Sequence, residues 1–109
     1  MTIFYILKDG KPVSVAARKW AAWFETSAQE RVIARDVVRK DVAVSTVFLG
    51  IDHGVHGEGV LWGTMVFGGT YDELQKRYTS REDAIQGHAE IVRRVRAVDE
   101  PRLFDEEAQ

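Results

Sequence analysis

Four side chains able to bind a metal or move a proton crowd one short stretch, "GIDHGVHGEG". Asp52, His53, His56 and Glu58 alternate there with Gly54, Gly57 and Gly59. Imidazole nitrogens and carboxylate oxygens are the donors of divalent-metal sites, a His-x-x-His pair in a loop can chelate, and His88 further along would add a third imidazole. Metal ligands need support from a second layer of hydrogen bonds, however, and a tip with three glycines promises little of it. The helical His-Glu-x-x-His pattern is also missing. The expectation is therefore a polar hairpin tip whose glycines supply positive φ, with no metal and no cofactor. A Ser45, His53 and Asp52 triad fails on geometry, because neighbours on an extended strand point to opposite faces. No serine sits in a nucleophile elbow, and Gly68–Gly69 open no helix carrying a phosphate-binding lysine. The chain is expected not to be an enzyme.

Composition narrows the partners. The chain has 109 residues, 45% of them hydrophobic and 29% charged, which is the make-up of one globular domain rather than of a disordered segment. There is no cysteine, so disulfides, thiolate zinc sites and cysteine nucleophiles are ruled out, in keeping with a reducing cytoplasm. Fifteen Lys and Arg against seventeen Asp and Glu give a formal charge of −2, without the basic excess that phosphate contacts demand, so nucleic acid is not the expected partner. No apolar run approaches the ~20 residues of a membrane span, and no signal-peptide core opens the chain. A cytoplasmic protein is expected.

The elements that must position these residues follow from periodicity and turn chemistry. In "TIFYILKDGKPVSV" an alternating strand meets the Asp9–Gly10 signal of a tight turn, and Pro12 keeps the returning strand short or at an edge. Ser14 then caps a helix on which Ala16, Trp20, Trp23, Phe24 and Ser27 share one side, a core stripe rather than a ligand platform. "RVIARDVV" reads as a half-solvated strand, with Val32, Ala34 and Val38 on one face and Arg31, Ile33 and Arg35 on the other. "VAVSTVFLGI" and "VLWGTMVF" are apolar on both faces and form the two arms of the hairpin around the polar tip. Strands of that kind are covered on both sides, and helices account for only one. Thr79 and Glu82 have the spacing of a capping box for a last helix with Ile85, His88, Val92 and Val95 on its apolar stripe, where Gly87 allows close packing on the sheet. His88 has no visible acid–base partner in the sequence and reads as a core histidine held by a hydrogen bond. The prediction is an α+β fold: an antiparallel sheet of about four to five strands with two helices on one face. Residues 1–98 form the domain and 99–109 an acidic C-terminal tail with a stray Leu103–Phe104 pair.

Several of these runs resemble a family of small uncharacterised proteins of bacteriophages and prophages. The shared signature is Val-Ser-Thr-Val-Phe-Leu-Gly at Val44 to Gly50, then Asp52–His53, a variable tip, Thr-Met-Val-Phe-Gly-Gly at Thr64 to Gly69, and Gly87–His88. "YILKDGKPV" and "WAAWFE" fit the same family, so the resemblance spans nearly the whole chain. The family commonly carries Glu where this chain has Gly63, and His56 falls in the variable tip. The resemblance implies a phage origin and singles out Asp52, His53 and His88 as a polar constellation beneath the hairpin. Two arrangements are open: Asp52 and His53 close the strand end by hydrogen bonds to loop backbone, or the cluster converges with Arg or Tyr side chains into a ligand pocket.

The functional expectation is a non-enzymatic phage accessory protein that binds a host protein, host-defence interference being one form. The alternative is a protein that sequesters a small molecule such as a nucleotide signal. Asp52, His53, His88, Trp62 and Thr64 are the expected binding residues, and a homodimer is expected through an outward sheet face carrying Trp62, Thr64 and Val66.

Overall fold

The computed structural model describes residues 2–99. They form antiparallel sheets and helices in the order β1 (Phe4–Lys8), β2 (Lys11–Val15), α1 (Ala17–Thr26), α2 (Ala28–Arg31), β3 (Val32–Arg39), β4 (Val42–Phe48), β5 (Trp62–Phe67), β6 (Gln75–Tyr78) and α3 (Arg81–Asp99). The fold is α+β, as the periodicity predicts, with α3 packed on a four-stranded sheet of order β3-β4-β5-β6.

The first hairpin forms a separate two-stranded sheet, where a single sheet is expected from the alternation of apolar residues. Asp9 and Gly10 both take positive φ, 53° and 78°, the geometry in which a two-residue turn matches the twist of its strands. Beyond β4 the chain turns at Gly50 (φ 78°), where β1 meets it through the Phe4–Ile51 bridge and the bond from the Tyr5 N–H to the Gly50 carbonyl, 2.8 Å, and Leu7 of β1 is buried with Phe48 and Trp62. That single bridge cannot extend the larger ladder, so the hairpin and α1 form a flanking unit. Phe4, Trp20 and Phe24 follow one another there in tilted contacts, with centroids 4.9 and 4.7 Å apart, and Trp23 and Phe48 meet edge to face. Arg31 closes the helix end: its guanidinium lies 3.6 Å over the Phe24 ring and donates to the Phe24 carbonyl and the Ser27 hydroxyl.

Two caps and two short elements differ from expectation. Ser14 lies in β2 opposite Tyr5, and α1 begins after Ala16 without a side-chain cap. For α3 the capping hydroxyl is Ser80, which accepts from the Asp83 N–H at 3.0 Å; Thr79 is one residue too early for the Asp83-centred turn. Helix α2 and strand β6 are four residues each and go unpredicted, since β6 ("QKRY") exposes three of its four side chains and shows no alternation of apolar residues.

The core lies between α3 and one face of the four-stranded sheet. Val42, Val44 and Val66 meet Ile91, Val92 and Val95, while Phe48, Leu61, Trp62, Tyr78 and Ala84 fill the end nearer the hairpin. The buried stripe of α3 runs through Ala84, Gly87, His88, Ile91, Val92 and Val95, whereas Ile85 is 41% exposed. Small residues, not the largest, face the sheet where the helix comes closest. At its far end Asp99 accepts from the Thr70 N–H (3.1 Å) and hydroxyl (2.8 Å), so it belongs to the folded unit and not to the expected tail. The rest of that tail lies outside the described residues.

Candidate functional site

A chain of polar side chains crosses the layer between sheet and α3, one from each element. Thr46 of β4 and Thr64 of β5 are direct cross-strand partners, with hydroxyl oxygens 2.5 Å apart. Thr46 Oγ1 is 2.7 Å from His88 Nδ1, and His88 Nε2 is 2.7 Å from Asp36 Oδ2 of β3. At the other end Thr64 Oγ1 is 3.1 Å from the Tyr78 hydroxyl of β6. The proton order follows from what each group can do, since it is assigned from partners. A carboxylate only accepts, so Nε2 donates to Asp36; in the neutral ring Nδ1 then accepts from Thr46, Thr46 accepts from Thr64, and Thr64 accepts from Tyr78. Burial is the main cause that raises the Tyr78 pKa, with a smaller push from Glu90, while the Thr64 bond acts in the opposite direction. The phenol therefore stays protonated and able to donate.

Aspartate, imidazole and hydroxyl in a row have the order of a hydrolase triad. Access decides otherwise. Thr46 is 0% exposed, Thr64 2% and His88 5%, so the hydroxyl that would attack meets only Thr64 and the covering helix. Asp36 alone reaches solvent, with its side chain 41% exposed and Arg96 Nη2 3.9 Å from its second oxygen. The row is a fully satisfied polar core that fixes the register of four strands and a helix.

Asp52 does something different and local. Its carboxylate accepts from the N–H groups of Gly54 (2.8 Å), Gly59 (2.9 Å) and Val60 (2.9 Å), and the His53 N–H donates to the Val60 carbonyl at 3.0 Å. This is the strand-end closure of the two arrangements left open by the sequence. The His53 ring is exposed, and no hydrogen bond joins Asp52 or His53 to His88, whose partners are Thr46 and Asp36. The three are not one constellation. Among the described residues no group of three or more His, Asp or Glu is placed to hold a metal. The Gly54 bond, then the Gly59 bond, and to a lesser degree Val60 and His53, lower the Asp52 pKa, against a desolvation effect weaker than the first two. A carboxyl whose folded pKa is depressed stabilises the loop above its unfolded value of 3.8, and that contribution disappears as pH falls through the folded value. Asp52→Asn at neutral pH is expected to raise amide exchange most at Gly54, Gly59 and Val60, and acidification of the wild-type protein below that range should reproduce the pattern. Unchanged protection at those amides would show that the carboxylate does not hold the tip.

Trp62 and Thr64 are not on an outward face. With Val66 they are 5%, 2% and 0% exposed, beneath α3 and the neighbouring aromatics. Among the described residues, the face left uncovered is the opposite one. Ladder register arranges it in rows: Val37–Ala43–Phe67, then Arg35–Ser45–Met65–Gln75, then Val32–Val47–Gly63–Arg77. Phe67 is 49% exposed and Val37 60%. Gly63 leaves a shallow groove of about 190 Å³ walled by Val47, Leu49, Met65 and Phe67. An arginine stands at each edge, Arg35 on β3 and Arg77 on β6, and the rows hold no carboxylate. Sequence reasoning missed Asp36, Tyr78 and this face. The signal for Asp36 was an acidic residue in an otherwise apolar alternation of β3, obscured by irregular register at Ile33 and Val38. Comparison with protein-family models, with curated proteins and with solved structures returned no match.

Proposed function

We propose that the protein is a non-enzymatic binding module that docks a partner protein on the open face of its four-stranded sheet. The observation that carries this reading is the uncovered apolar face of Val37, Val47, Leu49, Met65 and Phe67 between two arginines. A contiguous apolar patch of this kind on a small domain marks an interaction surface. The sealed polar row supports the non-enzymatic part, since its hydroxyls are used up in holding the core. The resemblance to phage and prophage proteins supports a bacterial host protein as the partner, with interference in host defence as one form of the activity. The alternative of small-molecule sequestration draws on the cleft beside Lys76, Arg77 and Tyr78, but Asp83 and Glu90 on the same wall oppose an anionic ligand.

Phe67→Asp tests the reading. Half of that side chain is already in water, so the melting temperature should stay within ~3 °C of wild type, as for other surface substitutions. Capture of a host protein by the tagged full-length chain should be lost. A variant that keeps its melting temperature and captures the same protein at the same level would remove the open face from the function.

A further inference from the structure

We propose that a second copy of this chain occupies the open sheet face, the two copies packing face to face about a two-fold axis that runs along the strands between β4 and β5. This rests on the reading of that face as a docking surface. It makes self-pairing and partner capture compete for one site.

The ladder register sets side chains of opposite size next to each other on the open side of β4 and β5. Ala43 adjoins Phe67, Ser45 adjoins Met65, and Val47 adjoins Gly63. Each row holds one small and one large residue, and the large one changes strand at the last row. A two-fold axis between the two strands lays β4 of one copy over β5 of the other, row on row, in the aligned packing of sheet on sheet. Met65 then meets Ser45, Phe67 meets Ala43, and Val47 enters the gap over Gly63, where the groove of about 190 Å³ lies. Large fills small, as close packing demands, and each contact is made twice.

Charge selects this axis over its rival. It brings β3 over β6, so that Arg35 faces the Gln75 amide, whose oxygen can accept from it, and Arg77 faces Val32. An axis across the strands would set Arg35 on Arg35, with no carboxylate in the rows to answer them. Along the strands, the nearest like charges are Arg35 of one copy and Arg77 of the other, one row and one layer apart. That is ~7 Å along the strand and ~10 Å between sheets, so ~12 Å in all, beyond the ~8 Å screening length of physiological salt. Four strands ~4.8 Å apart, over the six residues of β5, give each copy a face of ~400 Å². The pair buries ~800 Å² before side-chain relief is added, at the low end for a specific interface, which fits reversible pairing.

Sedimentation velocity of the full-length chain, from low micromolar to near-millimolar concentration, should show wild type passing from monomer to dimer. Gly63→Val is the variant that separates the models. Its Cβ meets only ordinary contacts, 3.4 Å to a Leu49 methyl and 3.6 Å to the Lys76 carbonyl, so in dilute solution it should fold and melt like wild type. With the gap filled, dimerisation should weaken ~10-fold or more, because Val47 of the other copy loses its place twice over. Mixing that chain with Val47→Ala should restore pairing as a heterodimer, since the new valine meets the shortened side chain and the other contact is unchanged. Should Gly63→Val melt low, Phe67→Asp, on an exposed side chain, takes its place and should stay monomeric. Wild type that remains monomeric throughout, a Gly63→Val chain that dimerises as tightly as wild type, or a mixture that pairs no better than Gly63→Val alone would each overturn the proposal. If wild type is monomeric while Phe67→Asp abolishes capture, the docking face stands and its second copy falls. If pairing obeys these substitutions while Phe67→Asp still captures the host protein, the dimer stands and the partner reading fails.

Discussion

Replacing His88 with alanine is expected to lower stability by ~2–4 kcal/mol, the sum of a cavity and of hydrogen bonds left unmade. The side chain is 5% exposed and both ring nitrogens are engaged, at 2.7 Å each. Its removal strands the Thr46 hydroxyl, which is 0% exposed and has no water to turn to, and takes the donor from Asp36. For a domain of this size that loss corresponds to a melting temperature lower by ~10–25 °C. Urea unfolding with an unchanged slope would show that stability, not compactness, had changed. His88→Gln should recover part of the loss, because an amide both donates and accepts, and Thr46→Val should cost ~1–3 kcal/mol by leaving the imidazole Nδ1 without a donor. A change below ~0.5 kcal/mol for His88→Ala would mean that the row does not hold sheet and helix together, since that is the size of an ordinary surface substitution. Partner capture, measured below the melting temperature, should follow the folded fraction and nothing else.

The second large effect is expected from Gly87→Ala. Two forces oppose each other here. Alanine is the better helix former, by ~1 kcal/mol in a helix interior. Against that, a methyl at Gly87 would overlap the Tyr78 ring and its hydroxyl, and the ring is held by burial and by its bond to Thr64. A rigid ring cannot yield as a flexible side-chain end would, so overpacking should win and the variant should be destabilised by ~1–3 kcal/mol net. Thermal unfolding gives the sign. Repeating the substitution in a Tyr78→Leu background isolates the cause: with the ring gone the cost of Gly87→Ala should fall by more than ~1 kcal/mol, the coupling expected of residues in contact. Additive effects would place the strain elsewhere, and a stabilised single variant would mean that the helix simply lifts.

Sequence alone determined the local chemistry of this protein. Asp9–Gly10 specifies its turn, and the β-branched runs around the tip specify a hairpin. Each is set by residues adjacent in the chain, and no distant contact overrides it. The role of Asp52 belongs with them, because its carboxylate meets N–H groups only a few residues away. The tertiary structure alone decided which face of the sheet is covered. Period-two alternation says that Trp62, Thr64 and Val66 share one side and Met65 and Phe67 the other, but both sets are apolar, so the pattern is symmetric to exchange. What broke the symmetry was α3. Its small residues Ala84 and Gly87 and its single imidazole fit against Tyr78, Thr46 and Thr64, and that fit depends on shape and hydrogen-bond direction across a gap of 42 residues between Thr46 and His88. The partner of His88 was illegible for the same reason. Asp36 lies 52 residues away on a strand whose irregular register hides its inward direction, and nothing local to either residue records that they meet.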